Sequence, residues 1–475
     1  MKPLNEQTAG IQKNHPVKVL QFGEGNFLRA FVDWVIDILN EKADFNGGIH
    51  VVQPIEQGMV NMLNDQDCLY HVLLQGIQNG ETIDDKRLIT SINSASNPYE
   101  DYKAYLQLGE NPDLEFVISN TTEAGIRFDE SDKRMDSLPD SFPGKLTALL
   151  YHRFKHFNGA ADKGLTLIPC ELIENNGVNL KKAILQYAEH WALSNEFISW
   201  IESSNKFCNT LVDRIVPGYP RENIKEIQAE LGFEDNLVVK AEPFLLWVID
   251  APEGVKEAFP THKTDLDVLF VKDITPYRTR KVRILNGAHT SLVPVAYLHG
   301  VRTVRESVED DYTGEFIKET IFDEIVPTLD LPQEELEKFA NAVLERFQNP
   351  FIRHELISIA LNSTSKYKVR VLPSVLEYYN RKNSLPHHLV HALAALIVFY
   401  KGEWRDEKIA LNDSADVMEF FGQIWNGDQE QIAQKVLSNT ALWDTDLTKV
   451  EGLESELQTE INSLVKAEKE KSYLQ

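Results

Sequence analysis

Residues 20–31 read LQFGEGNFLRAF, and the architecture of the first half of the chain depends on whether they fold as strand, glycine turn and helix. The apolar run VKVLQF (17–22) stops at Gly23. After it, NFLRAFVDWVIDILNEK (26–42) places Phe27, Ala30, Phe31, Trp34, Val35 and Leu39 at helical spacing. In that setting Gly23 allows a tight turn, and Gly25 lets the backbone approach a pyrophosphate at a helix N-terminus, where N–H groups and the dipole favour anions. Leu28 stands where a third glycine is usual, which implies a different seat for the helix on the strand and not a lost phosphate site. A strand-to-helix turn that needs glycines for geometry alone accounts for the same letters. The acid expected about 20 residues on is missing: the second strand, IHVVQ (49–53), ends at Gln53-Pro54, with Glu56 the nearest carboxylate. No arginine cluster awaits a 2′-phosphate either, which leans toward NAD.

The alternation continues. YHVLLQGIQNGETIDDKRLIT (70–90) reads as a hairpin about Asn79-Gly80. LEFVISNT (114–121) and LTLIPCEL (165–172) read as buried strands, each after a plausible helix. This is the pattern of an α/β fold, a mostly parallel sheet with helices on both faces. Beyond LDVLFVKDITPY (266–277) strand signals nearly vanish, and helical ones occupy 281–298, 334–347, 388–400 and 452–470. We expect a dinucleotide-binding domain over 1–270 and a largely α-helical substrate domain over 271–475, packed closely with a ligand between them.

The totals narrow the function. A length of 475 residues exceeds one ordinary core, and 43% apolar with 25% charged residues is globular composition. A formal charge of −25 argues against a nucleic-acid partner and requires a local basic pocket for any anionic substrate. Cys68, Cys170 and Cys208 lack metal-ligand spacing. The N-terminus has no apolar signal core. The run LVHALAALIVFY (389–400) is too short to span a bilayer and contains His391. The expectation is a reduced, cytoplasmic protein with no membrane partner; the oligomeric state is not written in the sequence.

The segment with most chemistry is PYRTRKVRILNGAHTSLVPVAYLHG (276–300). At about 100° per residue, His289 falls roughly 80° and Asn286 roughly 140° round from Lys281, so all three can line one broad helix face. Lys281, its pKa lowered by burial and by Arg278, Arg280 and Arg283, could exchange a hydroxyl proton. Asn286 could steady an alkoxide and His289 orient a hydroxyl. A basic surface helix with a satisfied histidine is the bland alternative.

GEGNFLRAF (23–31) and RKVRILNGAHT (280–290) together resemble the polyol-specific long-chain dehydrogenase/reductase family, which includes mannitol dehydrogenase and the hexuronate-pathway oxidoreductases. FCNTLVDRIVP (207–217) and EPFLLWVI (242–249) agree with it. ISNTTEAGI (118–126) and PCELIENNG (169–177) are most similar to its hexuronate-pathway members. The match runs in order from about residue 17 to about 370.

The resemblance implies metal-independent hydride transfer with NAD, a Rossmann-type N-terminal domain and a helical C-terminal domain. It implies Lys281 as general acid/base, with Asn286 and His289 holding the reacting oxygen. The loop Leu20, Gln21, Phe22, Gly23, Glu24, Gly25, Asn26, Phe27, Leu28 and Arg29 would bind the pyrophosphate. Thr121, Thr122 and Glu123 would lie near the nicotinamide. Val212 and Asp213 would border that site, unless Asp213 and Arg214 are simply an ion pair in a helix.

Three departures bear on the substrate. An asparagine that helps form the family's oxyanion hole is Leu172 here, which cannot donate a hydrogen bond. A glutamate three residues before the family lysine is Arg278. In SIALNSTSKYKVR (358–370) Lys366 is kept, Ser358 replaces an arginine, and Lys368 and Arg370 add charge. A sugar acid fits these changes better than a neutral polyol, its carboxylate meeting Arg278, Lys366, Lys368 or Arg370. An exposed edge is the plain reading of Lys368 and Arg370. Sister activities on fructuronate or fructose, and a nucleotide-binding protein without activity, are the alternatives.

Overall fold

The computed structural model describes residues 1–122 and 124–470. Its contacts divide the chain into two compact units. The first holds Met1–Gln75 with Ile83–Ile274; the second holds Gly76–Thr82 with the chain from Thr275 onward. The tip of the Tyr70–Gln78/Glu81–Ile89 hairpin thus clusters with the second unit, although the sequence places it in the first domain. The reason is a pair of hydrogen bonds: the Asn79 and Gly80 N–H groups donate to the Glu345 carboxylate (3.0 and 2.8 Å).

In the first unit, β1 (Val17–Phe22), β2 (Gly48–Val52), β3 (Ile92–Ser96), β4 (Phe116–Ser119), β5 (Thr166–Pro169) and β6 (Lys206–Phe207) form one sheet in the order β3-β2-β1-β4-β5-β6. Every neighbouring pair is parallel. Strand order therefore reverses between β1 and β4, the arrangement of a Rossmann-type fold. Side chains alternate across β1. Val19 packs with α1 (Asn26–Ala30) and α2 (Val32–Lys42) on one face. Leu20 and Phe22 pack with α3 (Phe142–His156) and α4 (Asn176–His190) on the other. Near-continuous apolar strands are what a sheet covered on both faces requires.

Three small sheets belong to the unit as well, one of them the parallel pair Lys2–Pro3 with Phe233–Glu234. Asn209–Asp213 pairs antiparallel with Leu246–Asp250, which pairs parallel with Val268–Val271. Val239–Ala241 adds in parallel to the hairpin strand Tyr70–Gln78. Segment 209–213 is thus a strand, which overturns the helix entertained for Asp213 and Arg214.

One glycine shows how tightly the layers close. A Cβ on Gly177, in the first turn of α4, would lie 2.2 Å from the Cys208 carbonyl oxygen, a backbone atom that cannot swing aside. Gly177→Ala is expected to cost about 1–3 kcal/mol by overpacking. A urea-unfolding midpoint equal to that of the parent would contradict this.

The second unit is helical. Thr275–Arg280 runs through a π-helical turn, Lys281–Asn286, into α5 (Gly287–His299). Further helices include α6 (Gln333–Phe347), α7 (Ser363–Arg370), α8 (His387–Phe399) and α9 (Leu453–Glu470). Buried residues lie all round α8, which accounts for the apolar run at 389–400. Glu324 accepts the His388 and Leu389 N–H groups at its start (both 2.8 Å), a carboxylate suited to the positive end of the helix. Among the described residues no helix is long and apolar enough to cross a membrane.

Candidate active site

In doubly wound sheets, ligands sit beyond the carboxyl ends of the strands where their order reverses. Gly23 ends β1 at that point. Its φ is +121°, a conformation that side chains rarely adopt. A Cβ there would stand 3.1 Å from both the Asn120 carbonyl oxygen, just past β4, and Leu28 Cδ1. Gly23 is therefore obligatory for the turn. Gly25 differs: it is exposed, has an ordinary φ of −67°, and a Cβ on it would meet nothing within 4 Å. It caps α1 without a side chain, leaving open space before the first turn of the helix. One glycine thus makes the turn and the other keeps its outer side clear, which fits a dinucleotide whose phosphates approach the backbone.

The rest of the loop divides by burial. Asn26 and Phe27 are half-buried beside Gly25, and Phe27 stacks on Phe31 (4.9 Å). Leu20, Gln21, Phe22 and Leu28 are in the interior, and the β1 residues are in register with β2 and β4. Their side chains belong to the framework of the turn. Arg29 is interior too, 1% exposed. Its guanidinium donates to the Glu24 and Leu237 carbonyls and to Asn26 Oδ1 (3.0, 2.6 and 2.7 Å) and lies over the Tyr70 ring. Glu24 is buried too, which raises its pKa, and accepts the Met59 N–H (3.2 Å). Gln53 turns its amide onto its own loop, donating to the Ile55 and Glu56 carbonyls (both 2.9 Å).

Past β4, Thr121 donates from both N and Oγ1 to Glu171 Oε1 (both 3.1 Å), and Ser119 Oγ donates to Glu171 Oε2 (3.1 Å). Burial raises the pKa of the Glu171 carboxyl. Sequence reasoning assigned Glu171 no part, although an acid straight after an apolar strand was the available signal. Thr122 is exposed beside it; Glu123 lies outside the described residues. Leu172 is 61% exposed. Asp213 closes its strand opposite Leu246. The next residue, Arg214, donates to the Ala30 and Glu242 carbonyls (2.9 and 2.8 Å) and stacks on Trp34, which brings this strand end beside α1.

In the second unit, Lys281 and Asn286 are the first and last residues of the π turn. An i→i+5 repeat turns less per residue than an α-helix. Asn286 and, after it, His289 therefore rotate closer to Lys281 than ideal α phasing predicts. All three are half-buried. His289 stacks on Phe347 (centroids 4.1 Å apart) and meets His354 edge-on at 5.5 Å. Burial lowers the pKa of His354, a residue that carried no signal because it lies in a loop 65 positions away in sequence.

Gly287 lets α7 approach this helix: a Cβ there would stand 3.1 Å from the Arg370 carbonyl oxygen. Lys366 and Arg370, four residues apart, share one side of α7. Burial lowers both pKa values, and Arg370 depresses Lys366 further. Lys366 Nζ donates to the Ile359 carbonyl (2.7 Å). Lys368 pairs instead with Asp444 (2.5 Å). Arg278 is half-buried in the turn before Lys281. Arg280 packs over Phe339 and Tyr277 and approaches Glu335 (3.9 Å).

Comparison with known proteins identifies the family. Residues 17–262 match the mannitol dehydrogenase Rossmann domain and residues 273–465 the mannitol dehydrogenase C-terminal domain. The chain is 50% identical over 467 residues to the altronate oxidoreductase of Phocaeicola vulgatus, covering 98% of this chain and 97% of that one. It is 48% identical over 460 residues to the altronate oxidoreductase of Yersinia enterocolitica, covering 95% of each. Among solved structures, substrate-free D-sorbitol dehydrogenase shares the fold at a TM-score of 0.81, with 23% identity and 99% of each chain covered. Pseudomonas fluorescens mannitol 2-dehydrogenase, solved with NAD and D-mannitol, does so at 0.66, with 22% identity over 98% of this chain and 97% of that one. The chain belongs to the mannitol dehydrogenase family, both of whose domains it carries, and is an oxidoreductase acting on a CH–OH group.

Proposed function

We propose that the chain interconverts D-tagaturonate and D-altronate with NAD(H). The observation that carries this reading is the meeting at Gly287 of two helices, one bearing Lys281, Asn286 and His289 and the other bearing Lys366 and Arg370. A proton-transfer set thus stands beside paired cations, as reduction of an anionic ketose requires. The altronate oxidoreductase name of relatives at about 50% identity supports the choice of sugar acid. The NAD in the mannitol 2-dehydrogenase complex supports the cofactor.

When bound at the Gly23–Gly25 turn, NADH supplies the hydride that adds to the ketone carbon. The chain's residues do the rest. Asn286 donates a hydrogen bond to the oxygen as negative charge gathers on it. His289, fixed by its stack on Phe347, orients the same oxygen. Lys281 Nζ delivers the proton that completes the alcohol, and takes it back in the oxidation. One hydride and one proton added to the ketone would balance its reduction to the alcohol. Lys366 and Arg370 hold the carboxylate.

Purified protein should oxidise NADH with D-tagaturonate and turn over fructuronate and fructose far more slowly; faster turnover of either would overturn the substrate assignment. Replacing Lys366 with methionine is expected to raise KM for the sugar acid by about ten- to a hundredfold, the value of one charge-assisted hydrogen bond. Steady-state kinetics check this, and a fall in kcat alone would contradict a carboxylate-binding role.

A further inference from the structure

Past the carboxyl ends of β4 and β5, side chains take over from the backbone ladder. The register of the two strands ends at Ser119 opposite Pro169. One more ladder bond follows, from the Cys170 N–H to the Ser119 carbonyl (2.7 Å). Beyond it Asn120 Nδ2 donates to the Cys170 carbonyl (2.8 Å), and the Glu171 carboxylate bridges the rest. Its Oε1 accepts both the N–H and the hydroxyl of Thr121, and its Oε2 accepts the Ser119 hydroxyl, all at 3.1 Å. Both polar hydrogens of Thr121 are thereby committed to Glu171.

Glu171 is itself fixed. It is 3% exposed, and its carbonyl accepts the Ile173 N–H (2.8 Å) and Asn176 Nδ2 (3.1 Å). Asn176, buried in the first turn of α4, also donates to the Pro169 carbonyl (3.0 Å). Gly125 closes in on Thr121 as well: its N–H donates to the Thr122 carbonyl (2.9 Å), and a Cβ on it would overlap Thr121 Oγ1. A carboxylate taken out of water needs donors such as these to offset its lost hydration. An apolar side chain in its place would carry no such cost, but would leave the Thr121 N–H without this acceptor.

The place of this brace in the sheet gives it a use. Strands β1–β3 and β4–β6 are the two mononucleotide halves of the fold, so a dinucleotide crossing at Gly23 lays its adenosine part over the first and its nicotinamide part over the second. Thr121 and the exposed Thr122 stand past β4, next to that crossing. The Asn120 N–H just before them donates to the Phe22 carbonyl (3.2 Å), and the Asn120 carbonyl bounds Gly23. We propose that Glu171 is a positioning residue: its carboxylate fixes Thr121, and through it Thr122, as the wall against which the nicotinamide is set.

The proposal rests on NADH crossing at the Gly23–Gly25 turn, so the test reads the two ends of the cofactor separately. NADH and ADP-ribose, which lacks the nicotinamide, are titrated against the full chain, the first by its own fluorescence and the second by competition. Glu171→Ala should raise the Kd for NADH about tenfold, the value of one hydrogen bond, and leave the Kd for ADP-ribose at the parent value. The fluorescence enhancement of bound NADH, which reports the surroundings of the nicotinamide, should shrink with it. Glu171→Gln keeps an oxygen for Thr121 and offers its amide hydrogens to the Ser119 hydroxyl, so both Kd values should stay with the parent. Glu171→Asp, one methylene short of Thr121, should behave as Glu171→Ala does, and stands in for it if the alanine variant does not fold. Equal weakening of NADH and ADP-ribose would make Glu171 a support of the sheet alone and overturn the proposal; unchanged NADH binding would do the same. A glutamine variant as weak as the alanine one would also overturn it, because the geometry assigns the role to hydrogen bonds and not to charge. A parent that binds neither ligand overturns the crossing at Gly23 itself, and the proposal with it, before any variant is made.

Discussion

Replacing Lys281 with alanine is expected to lower turnover by roughly two to four orders of magnitude, the usual range for removal of a general acid–base group. NADH affinity should hardly change. The separation follows from the fold: the glycine turn belongs to the first unit, whereas Lys281 opens the π turn of the second. Without Nζ, the alkoxide formed by hydride addition has no positioned proton donor, and water must reach it. Because that donation matters in the transition state and little in the ground state, kcat and kcat/KM should fall together. Stopped-flow reduction with excess enzyme, read beside an NADH titration, checks both halves. Unchanged turnover would remove Lys281 from the mechanism, and a parallel loss of NADH binding would make its role structural.

The parallel sheet was legible because its signals are local. An apolar run ending at glycine before an amphipathic segment can hardly be anything other than a βα unit, and β1 with α1 and α2 formed there. Segment 209–213 was harder. Its burial alternates, with Thr210 and Val212 inward, but five residues cannot separate a strand from a helix turn, and pairing with Leu246–Asp250 decides it. The π turn left no trace at all. Widening one turn shifts register by a single residue, and hydrophobic spacing along 276–300 is too dense to reveal it.

The candidate site was legible in proportion to how far each side chain acts within its own helix. Lys281, Asn286 and His289 fall within nine residues, so their common face follows from helical period. Lys366, Lys368 and Arg370 looked alike in sequence. Only Asp444, 76 positions beyond Lys368, tells them apart. Arg29 belonged to the loop expected to bind the pyrophosphate, and only the Leu237 carbonyl, more than 200 positions on, shows its guanidinium engaged in the interior. His354 likewise depends on a partner that no motif contains.

The two glycines of the opening motif should separate under substitution, and so decide between a ligand loop and a mere turn. Gly25→Val introduces a side chain at an ordinary φ of −67°, where a Cβ meets nothing within 4 Å, so the fold should tolerate it. The new methyl groups fill the space through which phosphate oxygens would reach the α1 N–H groups. Losing one to two charge-assisted hydrogen bonds, each about 1.5–3 kcal/mol, should raise the Kd for NADH at least tenfold to a hundredfold. Tm should stay at the parent value. Gly23→Val does the opposite damage first. At φ +121° a branched residue is strained, and its Cβ presses to 3.1 Å on the fixed Asn120 carbonyl, so stability should fall by about 1–3 kcal/mol. Weaker NADH binding would follow from the distorted turn. If Gly25→Val left both Tm and Kd at parent values, glycine there would serve turn geometry alone, and the cofactor would have to bind elsewhere. A lost Kd beside a preserved Tm is an outcome that only a backbone open to a ligand can produce.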